Sequence, residues 1–418
     1  MNAPPDVAAA VESAVSSDRW DISSFVATVT AARAAGCAFG DAEVRFCTSL
    51  AAALLGSGAG RNPQLVSLGY WLRPASVERM RDRFARLEDR GTLVVPRGRV
   101  FQVAPANVDT LFAYSWVLGL LGGNASVVRV SNRTTELTDT LLAAIRDVLD
   151  RPEFAELRGR NWLVRTPHDD ATAAALSSIA DVRVVWGGDA TVEYFRRFPL
   201  PPRGRDIVFP NRHSLAIIDA AAIARATDEE LAGAADAFFN DAYWFDQGAC
   251  SSPRLVLWRA ADGDDTAPAR HRFKAAVGAA IGRRAYEAQL GAAINKMAFG
   301  LRAAARVPGV VYERLSNEAT WIELPDLAAY DRDNCGGGLF FEFVSRDVPA
   351  DLAALVGPED QTAACYGIDR DDARSLARRL NGRGIDRWVR LGRALDFDAT
   401  WDGYDLLQEF VKRVAIEV

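Results

Sequence analysis

The sequence predicts an α/β protein built around a doubly wound parallel sheet. From Gly91 to about residue 220, short apolar strands alternate with helical segments of about 10–15 residues, a pattern typical of parallel sheets. Polar or glycine-containing turns follow several strands, at the sheet edge where such folds bind ligands. Hydrophobic residues make up 49% of the 418 residues, which is enough for two or three domains.

The composition argues against several classes of protein. The net charge of −6, with both signs intermixed, does not favour nucleic acid or an anionic membrane as an obligatory partner. The five cysteines lack CxxC spacing and the three histidines are far apart, so we expect neither a disulfide framework nor a metal centre. We see no apolar run of about 18 residues and no signal peptide, and we expect a cytoplasmic protein without a membrane span.

Helices precede the sheet. Apolar residues recur at helical spacing over 41–55 and again over the charged segment 76–90. Asp41 is a plausible N-cap for the first of these helices. The glycine-rich stretch 56–60 lacks the full GxGxxG spacing and follows a helix, so it is a weak candidate for a nucleotide-binding loop.

Residues 1–219 are predicted to form the N-terminal helices and the cofactor-binding domain. The predicted strands cover 92–95, 100–103, 125–130, 162–165, 182–186 and 214–218. Asn107, Arg129 and the turn Gly187-Gly188-Asp189 follow the ends of three of these strands. We therefore expect a ligand in the crevice at that edge of the sheet.

Residues 220–385 are predicted to form a second, catalytic domain. A helix near 228–243 leads into a loop with Cys250, and a buried strand follows at 255–258. A helix-to-strand connection between small residues is well placed for a substrate to reach. On the loop alone, inert packing is the commoner role for a cysteine. Cys335, in a glycine-rich run, is a competing thiol, whereas three others have the apolar or alanine-rich surroundings of packing residues: Cys37, Cys47 and Cys365.

The last segment, 386–418, is predicted to return to the cofactor domain or to an oligomer interface. It contains a predicted strand at 388–391. Trp401-Asp402-Gly403-Tyr404 is predicted to open a last helix.

Five motifs occur in a characteristic order along the chain. They are Pro105-Ala-Asn107, Gly123-Asn-Ala-Ser-Val-Val-Arg129-Val-Ser131, Trp186-Gly-Gly-Asp189, Phe209-Pro-Asn-Arg-His-Ser214-Leu-Ala-Ile-Ile218 and Gln247-Gly-Ala-Cys250-Ser-Ser-Pro253. This order resembles the aldehyde dehydrogenase superfamily, and more closely the LuxC-type acyl-CoA reductases, which reduce fatty acyl thioesters to aldehydes. The resemblance spans about 90–265, resumes at 384–407 and implies an aldehyde-dehydrogenase-like fold.

The resemblance also implies a mechanism. Cys250 would attack the acyl carbonyl of acyl-CoA or an acyl-carrier-protein thioester and expel the thiol. The side-chain amide of Asn107 and the backbone N–H of Cys250 would bind the developing oxyanion. Alternatively, Asn107 is a turn residue that satisfies local backbone groups.

This chain departs from the oxidising branch of the aldehyde dehydrogenase superfamily at one position, and the departure favours reduction. When Ser214 is aligned with the serine of that branch's Glu-Leu-Gly-Gly-Lys-Ser segment, Phe209 stands where those enzymes carry a general base. Phenylalanine cannot activate water, so hydride transfer or thiol exchange should outcompete hydrolysis.

Cofactor choice follows from charge in the same resemblance. Where related enzymes carry Lys-Pro-Ser-Glu, this chain has Arg129-Val-Ser131-Asn132, followed by Arg133. Losing the Glu removes repulsion of a 2′-phosphate, and an arginine can pair with it, which predicts NADPH over NADH. Alternatively, Arg133 is a solvated charge at a helix start.

The glycine turn is the second predicted cofactor contact. Gly187 and Gly188 would let the protein backbone approach the cofactor, with the helix after Asp189 facing the pyrophosphate. An ordinary tight turn is the alternative.

The sequence therefore predicts an NADPH-dependent acyl-CoA reductase. Two rivals on the same fold are a CoA-acylating aldehyde dehydrogenase and an acyl-phosphate reductase, and a third is a non-catalytic binding subunit. The resemblance also implies a homo-oligomer, since in that family edge strands near 92–103 and the C-terminal segment often pair between subunits.

Overall fold

The computed structural model describes residues 11–12, 21–56, 62–333 and 336–418. Cys335 and most of the predicted turn at 56–60 lie outside these residues. The chain divides into two compact units, one formed by Met1–Pro210 with Phe397–Val418 and the other by Asn211–Asp396. The first boundary differs from the predicted 219/220 because the strand His213–Asp219 pairs within the second unit. The assignment of a cofactor role and a catalytic role to these parts stays a prediction.

Four helices lie between residues 21 and 85 in the described part of the first unit. Their bounds are α1 Ile22–Ala31, α2 Asp41–Gly56, α3 Pro63–Trp71 and α4 Pro74–Ala85. The helix predicted over 41–55 is confirmed as α2. The Asp21 carboxylate caps α1 by accepting from two backbone N–H groups, and proline stands at the first position of α3 and α4.

The parallel sheet predicted for the first unit is confirmed. The strands of this unit, before its C-terminal part, are β1 Val11–Glu12, β2 Thr92–Pro96, β3 Arg99–Val103, β4 Ala125–Arg129, β5 Asn161–Val164, β6 Val182–Trp186 and β7 Arg205–Phe209. Six of them form the described sheet in the order β1-β5-β4-β3-β6-β7, with every neighbouring pair parallel. The order runs away from β3 in both directions, so β3 and β6 flank the topological switch point where doubly wound sheets bind ligands.

Helices cover both faces of this sheet. They are α5 Leu111–Leu121, α6 Glu136–Leu149, α7 Ala155–Arg158, α8 Asp170–Ser178 and α9 Asp189–Arg196. Every residue of α5 after Leu111 is buried, which a sheet covered on two sides requires of its central helix. On the opposite face, Phe101 and Val127 pack with residues of α1, α8 and α9.

The second unit has its own sheet. Its strands are β8 His213–Asp219, β9 Pro253–Arg259, β10 Val311–Arg314, β11 Thr320–Glu323, β12 Leu339–Ser345, β13 Asp360–Tyr366 and β14 Arg387–Arg390. Their order is β10-β11-β12-β9-β8-β13-β14, and only the edge strand β10 is antiparallel to its neighbour. The loop that carries Cys250 leads into β9, the central strand of this sheet.

Side-chain alternation along β8 and β9 builds two cores. Ile218 and Trp258 face one core, whereas Ile217 and Leu257 face the other. The helices of this unit are α10 Ala220–Arg225, α11 Asp228–Tyr243, α12 Ala267–Arg283, α13 Leu290–Arg306, α14 Val348–Leu355 and α15 Arg370–Leu380. A capping box between Thr227 and Glu230 begins α11, the helix that leads to Cys250.

The chain ends in the first unit, and here one prediction is wrong. Instead of opening a helix, Trp401 and Tyr404 belong to a hairpin of β15 (Thr400–Trp401) and β16 (Tyr404–Asp405). Its turn residues Asp402 and Gly403 have φ of 48° and 76°, the conformation that favours Asp-Gly. The short helix α16 (Leu406–Glu409) follows, and then β17 (Val411–Ala415) pairs antiparallel with β2.

None of the helices in the described part of the chain is long and apolar enough to cross a membrane.

Candidate active site

The loop that carries Cys250 joins the end of α11 to β9 and is anchored by one buried glutamine. Gln247 has a φ of 61°, which costs free energy for a residue other than glycine. Its fully buried side chain offsets this cost. Nε2 donates to the carbonyls of Pro253 (2.9 Å) and Leu339 (3.0 Å). Oε1 accepts from the N–H of Gly338 at 2.8 Å, so the loop is fixed against the starts of β9 and β12.

Cys250 is half-buried, and both its backbone and its thiol have partners on neighbouring strands. The Ser214 hydroxyl on β8 donates to the Cys250 carbonyl at 2.7 Å and accepts from the N–H of Thr362 at 3.2 Å. On β13, the Nε2 of Gln361 lies 3.4 Å from the Cys250 Sγ. The thiol is therefore held by groups that converge from separate strands.

Two other thiols are in environments that suppress reactivity. Burial raises the pKa of Cys47 well above its usual value and raises the pKa of Cys365 to about 12. Because the thiolate is the nucleophile, both are poor nucleophiles at neutral pH. Cys37 is exposed, contrary to the packing role expected for it.

The predicted cofactor residues that follow β4 lie together around the end of β5. Arg129 donates from Nε to the Thr166 hydroxyl at 3.1 Å, and Asn132 donates from Nδ2 to the Thr166 carbonyl at 3.1 Å. The Ser131 hydroxyl accepts from the N–H of Arg133 at 3.1 Å. This hydrogen-bonded turn stands at the carboxyl edge of the first sheet.

A small cavity opens beside this turn. Burial lowers the pKa of Arg129, while the nearby Asp169 carboxylate acts in the opposite direction. The Asp169 carboxylate caps α8 by accepting from the N–H of Thr172 at 2.7 Å. Sequence reasoning missed the other cavity residues because they come from three separate segments. The cavity lining includes Arg129, Thr166, His168, Asp169, Thr172 and Tyr194.

The turn between β6 and α9 is tightly packed. A Cβ on Gly187 would lie 2.9 Å from the Cβ of Thr191, so the backbone approaches the helix closely here. Gly188 is the N-cap residue of α9, and the described residues supply no side-chain cap to this helix. The N–H groups of the first turn of α9, at the carboxyl edge of β6, could hold a phosphate. Asp189 begins α9 and adds a negative charge there.

Asn107 is exposed in the connection between β3 and α5. It belongs to the first unit and Cys250 to the second. Their joint action on one oxyanion stays a prediction. No group of three or more His, Cys, Asp or Glu side chains suited to a metal ion occurs in the described part of the chain.

Sequence reasoning missed Gln361 and did not single out Gln247. Gln247 stands inside one of the quoted motifs, and its polar side chain between an aromatic-rich stretch and an apolar strand is the available signal. Gln361 belongs to β13, a strand that was not predicted. Its signal is the polar run Asp360-Gln361-Thr362 directly before apolar residues.

The fold is that of aldehyde dehydrogenases. Aldehyde dehydrogenase 21 from Physcomitrella patens matches with a TM-score of 0.68 and 12% identity, covering 95% of this chain and 90% of that one. A lactaldehyde dehydrogenase matches with a TM-score of 0.64 and 12% identity at coverages of 95% and 90%. An NAD-dependent benzaldehyde dehydrogenase from Corynebacterium glutamicum matches with a TM-score of 0.59 and 14% identity at coverages of 95% and 86%.

The sequence comparison is more specific than the fold. No curated protein matches the sequence significantly. A family model described as acyl-CoA reductase (LuxC) matches residues 76–288, a range that includes Asn107, Arg129, Gly187 and Cys250. The resemblance noted from five ordered motifs is thereby confirmed, and the chain belongs to the LuxC acyl-CoA reductase family, whose chemistry is oxidoreduction of acyl groups and aldehydes.

Proposed function

We propose that this protein reduces an acyl thioester to an aldehyde with NADPH through an acyl-enzyme on Cys250. The observation that carries the proposal is the setting of this thiol. It is half-buried on an anchored loop within the matched family segment. Cys47 and Cys365, in contrast, have raised pKa values.

The proposed first step is acyl transfer. The Cys250 thiolate forms a carbon–sulfur bond with the acyl carbonyl, and the carbon–sulfur bond to CoA or a carrier protein breaks, so that the leaving thiolate takes up a proton. Asn107 and the backbone N–H of Cys250 are the proposed oxyanion donors, and one such donor is typically worth about 100- to 1,000-fold in rate. The Ser214 hydroxyl donates to the Cys250 carbonyl and so fixes the backbone on the carboxyl side of this residue.

The first unit has features that fit a nicotinamide nucleotide. The close approach at Gly187 and the N-terminus of α9, where the N-cap residue is a glycine, suit a pyrophosphate. Arg129, with Arg133 nearby in sequence, is the proposed partner of a 2′-phosphate, and Ser131 and Asn132 shape the turn between them. Asp189 is proposed as a cofactor contact solely because it is the first residue of α9. When bound, the nucleotide supplies the hydride for the reduction.

Phe209 supports reduction over hydrolysis. Its ring is buried and stacks on Trp186, with the ring centroids 3.5 Å apart. A residue in this environment offers no base to activate water, so the acyl-enzyme is expected to persist until it is reduced or returned to a thiol.

Intact-mass measurement tests the covalent step. After mixing with acyl-CoA and no cofactor, the wild type should gain the mass of one acyl group, and Cys250→Ala should gain none. Cys37→Ala, which removes an exposed thiol of the first unit, is the matched control and should behave as the wild type. Acylation of Cys250→Ala together with continued NADPH consumption would refute the mechanism.

Steady-state assays test the substrates. We expect aldehyde from acyl-CoA with NADPH, and Arg129→Gln should raise the KM for NADPH more than that for NADH. Faster turnover of an acyl phosphate would favour an acyl-phosphate reductase, and net oxidation of aldehyde with CoA would favour an acylating dehydrogenase.

The proposed homo-oligomer is checked by light scattering on the purified protein.

A further inference from the structure

We infer that Gln361 lowers the pKa of the Cys250 thiol and so holds it as a thiolate, through a hydrogen bond from its side-chain amide to the sulfur. This assigns a role to a residue on β13, 111 positions from the thiol along the chain. The inference rests on the proposed role of Cys250 as the nucleophile. Its chemical content, the stabilisation of a thiolate by an amide donor, can be measured without turnover.

The geometry places a donor on the sulfur. Gln361 Nε2 lies 3.4 Å from Cys250 Sγ, within range of an N–H···S hydrogen bond. The other end of the amide, Oε1, accepts from the Thr362 hydroxyl at 3.3 Å. Since an amide has donors only on nitrogen, this arrangement turns the N–H groups toward the thiol.

Burial makes the contact effective. Gln361 and Thr362 are almost completely buried near the start of β13. Gln361 lies at the register shift between Asp360 and Thr362, and Thr362 pairs with β8 on one side and β14 on the other. Water competes weakly for a donor in such a place, and hydrogen bonds act more strongly there than at the surface. A donor that faces the charged form of an acid lowers its pKa, so the amide favours thiolate over thiol.

The backbone keeps the two partners together. The Ser214 hydroxyl bridges the Cys250 carbonyl and the Thr362 N–H at 2.7 and 3.2 Å. Thr362 follows Gln361 directly in sequence, so one serine ties the cysteine loop to the strand that carries the donor. The contact between thiol and amide is thereby part of a hydrogen-bonded ring that includes two strands.

The ionisable groups on the elements that meet at Cys250 do not replace the amide. Burial lowers the pKa of His213 at the start of β8, with Arg254 adding to the effect, so this histidine is neutral at pH 7. Asp360 on β13 is paired with Arg332 at 2.7 Å. Asp246 in the cysteine loop accepts from the Tyr286 hydroxyl at 2.6 Å. Gln361 does not titrate, so thiolate formation should follow one apparent pKa.

The test is the pH dependence of alkylation by iodoacetamide, resolved by peptide mass spectrometry on the full-length protein without substrate. Wild-type Cys250 should be alkylated along a single sigmoidal pH curve. Gln361→Met keeps the length of the side chain and removes the donor, and should shift the midpoint upward by about one pH unit or more. Cys37, exposed in the same protein, is the internal standard, and its curve should stay in place.

Gln361→Glu keeps the shape and places a carboxylate beside the sulfur, so its midpoint should rise further than that of Gln361→Met. It also keeps the test open if Gln361→Met does not fold. Midpoints for Cys250 that stay unchanged in a folded variant would overturn the inference, whatever the activity. If the midpoints shift but Cys250→Ala still reduces acyl-CoA, the proposed function fails while the amide–thiolate contact stands.

Discussion

Asp241 shows how a single buried carboxyl group links the stability of the second unit to pH. It has no exposed surface, and it accepts from the N–H groups of Gly392 (2.6 Å) and Ala394 (2.8 Å). Burial raises its pKa to about 7, although these two hydrogen bonds act in the opposite direction. The folded protein therefore binds this proton more tightly than the unfolded chain does.

The sign of the pH effect follows from linkage. The stability associated with the proton on Asp241 is fully present below the unfolded pKa of about 4 and is lost as the pH rises toward about 7. Asp241→Asn mimics the protonated group and lacks this dependence. Between pH 5 and 7, the free energy of unfolding of the wild type should fall relative to Asp241→Asn, by at most about 1.4 kcal/mol per pH unit. Urea unfolding at pH 5, 6 and 7 measures it, and parallel curves would contradict the assignment.

At the residue scale, the sequence identified candidate site residues more readily than it identified the contacts between them. Cys250 and the run from Arg129 to Arg133 were found because they stand in ordered motifs. Gln361 and Thr166 were not, since their relevance arises only when distant strands become neighbours. No local pattern reveals which buried amide will face a thiol.

Among the helices, α12 and α13 of the second unit offer a matched pair of glycines. No atom lies within 4 Å of a Cβ built on Gly278, whereas a Cβ on Gly300 would collide with the Tyr312 ring. Gly278→Ala should therefore raise the free energy of unfolding by up to about 1 kcal/mol, the helix-propensity difference. Gly300→Ala should lower it by about 1–3 kcal/mol through overpacking. Equal effects in thermal or urea unfolding would show that packing around α13 is looser than described.

A buried ion pair connects α2 to the segment before β5. Glu43 and Arg160 are 3% and 5% exposed and bond directly through Oε1 and Nη2. Glu43→Ala leaves a buried guanidinium without its carboxylate and should cost about 3–5 kcal/mol of stability. The control is Glu78→Ala, which removes half of an exposed pair with Arg81 and should change stability by less than about 1 kcal/mol.

A double variant separates charge from packing in this pair. Replacing both Glu43 and Arg160 with methionine should recover most of the loss seen in Glu43→Ala, because no buried charge is left unpaired. Urea unfolding of the three variants provides the comparison. If the double variant is as unstable as Glu43→Ala, the loss comes from the packing of α2.

At the element scale, the spacing of apolar residues predicted the long helices and the strands with a clear apolar pattern. The helix at 41–55 and four strands of the first sheet, β3 to β6, follow from their apolar spacing, whereas β1 and β7 of that sheet were not predicted. The Asp-Gly hairpin at 402–403 was missed although its turn signal is present, because its strands have only two residues each. The strand β13 was missed since its first residues are polar.

For the molecule as a whole, the C-terminal segment completes the first unit through β17. Truncation after Phe410 removes this strand and leaves β2 without its antiparallel partner. The amides of Thr92–Pro96 should then exchange hydrogen faster, while Pro253–Arg259, in the centre of the second sheet, should keep its protection. Hydrogen-exchange mass spectrometry of the truncated and full-length chains compares both segments. Unchanged exchange at Thr92–Pro96 would contradict the pairing.

The α/β class and parallel order followed from the succession of elements along the chain, and the LuxC resemblance followed from motif order. The sequence did not reveal that the strand His213–Asp219 belongs to the second unit, because strand pairing is a long-range property. The same holds for the return of Phe397–Val418 to the first unit.

This discontinuous connectivity has a consequence for biosynthesis. The second unit, Asn211–Asp396, is continuous in sequence, so all of it is synthesised before Phe397–Val418. The first unit begins earlier but lacks the partner of β2 until Val411–Ala415 is synthesised. A chain that stops before Val411 would therefore present an unpaired strand edge to chaperones and proteases, while its thiol-bearing sheet could already be formed.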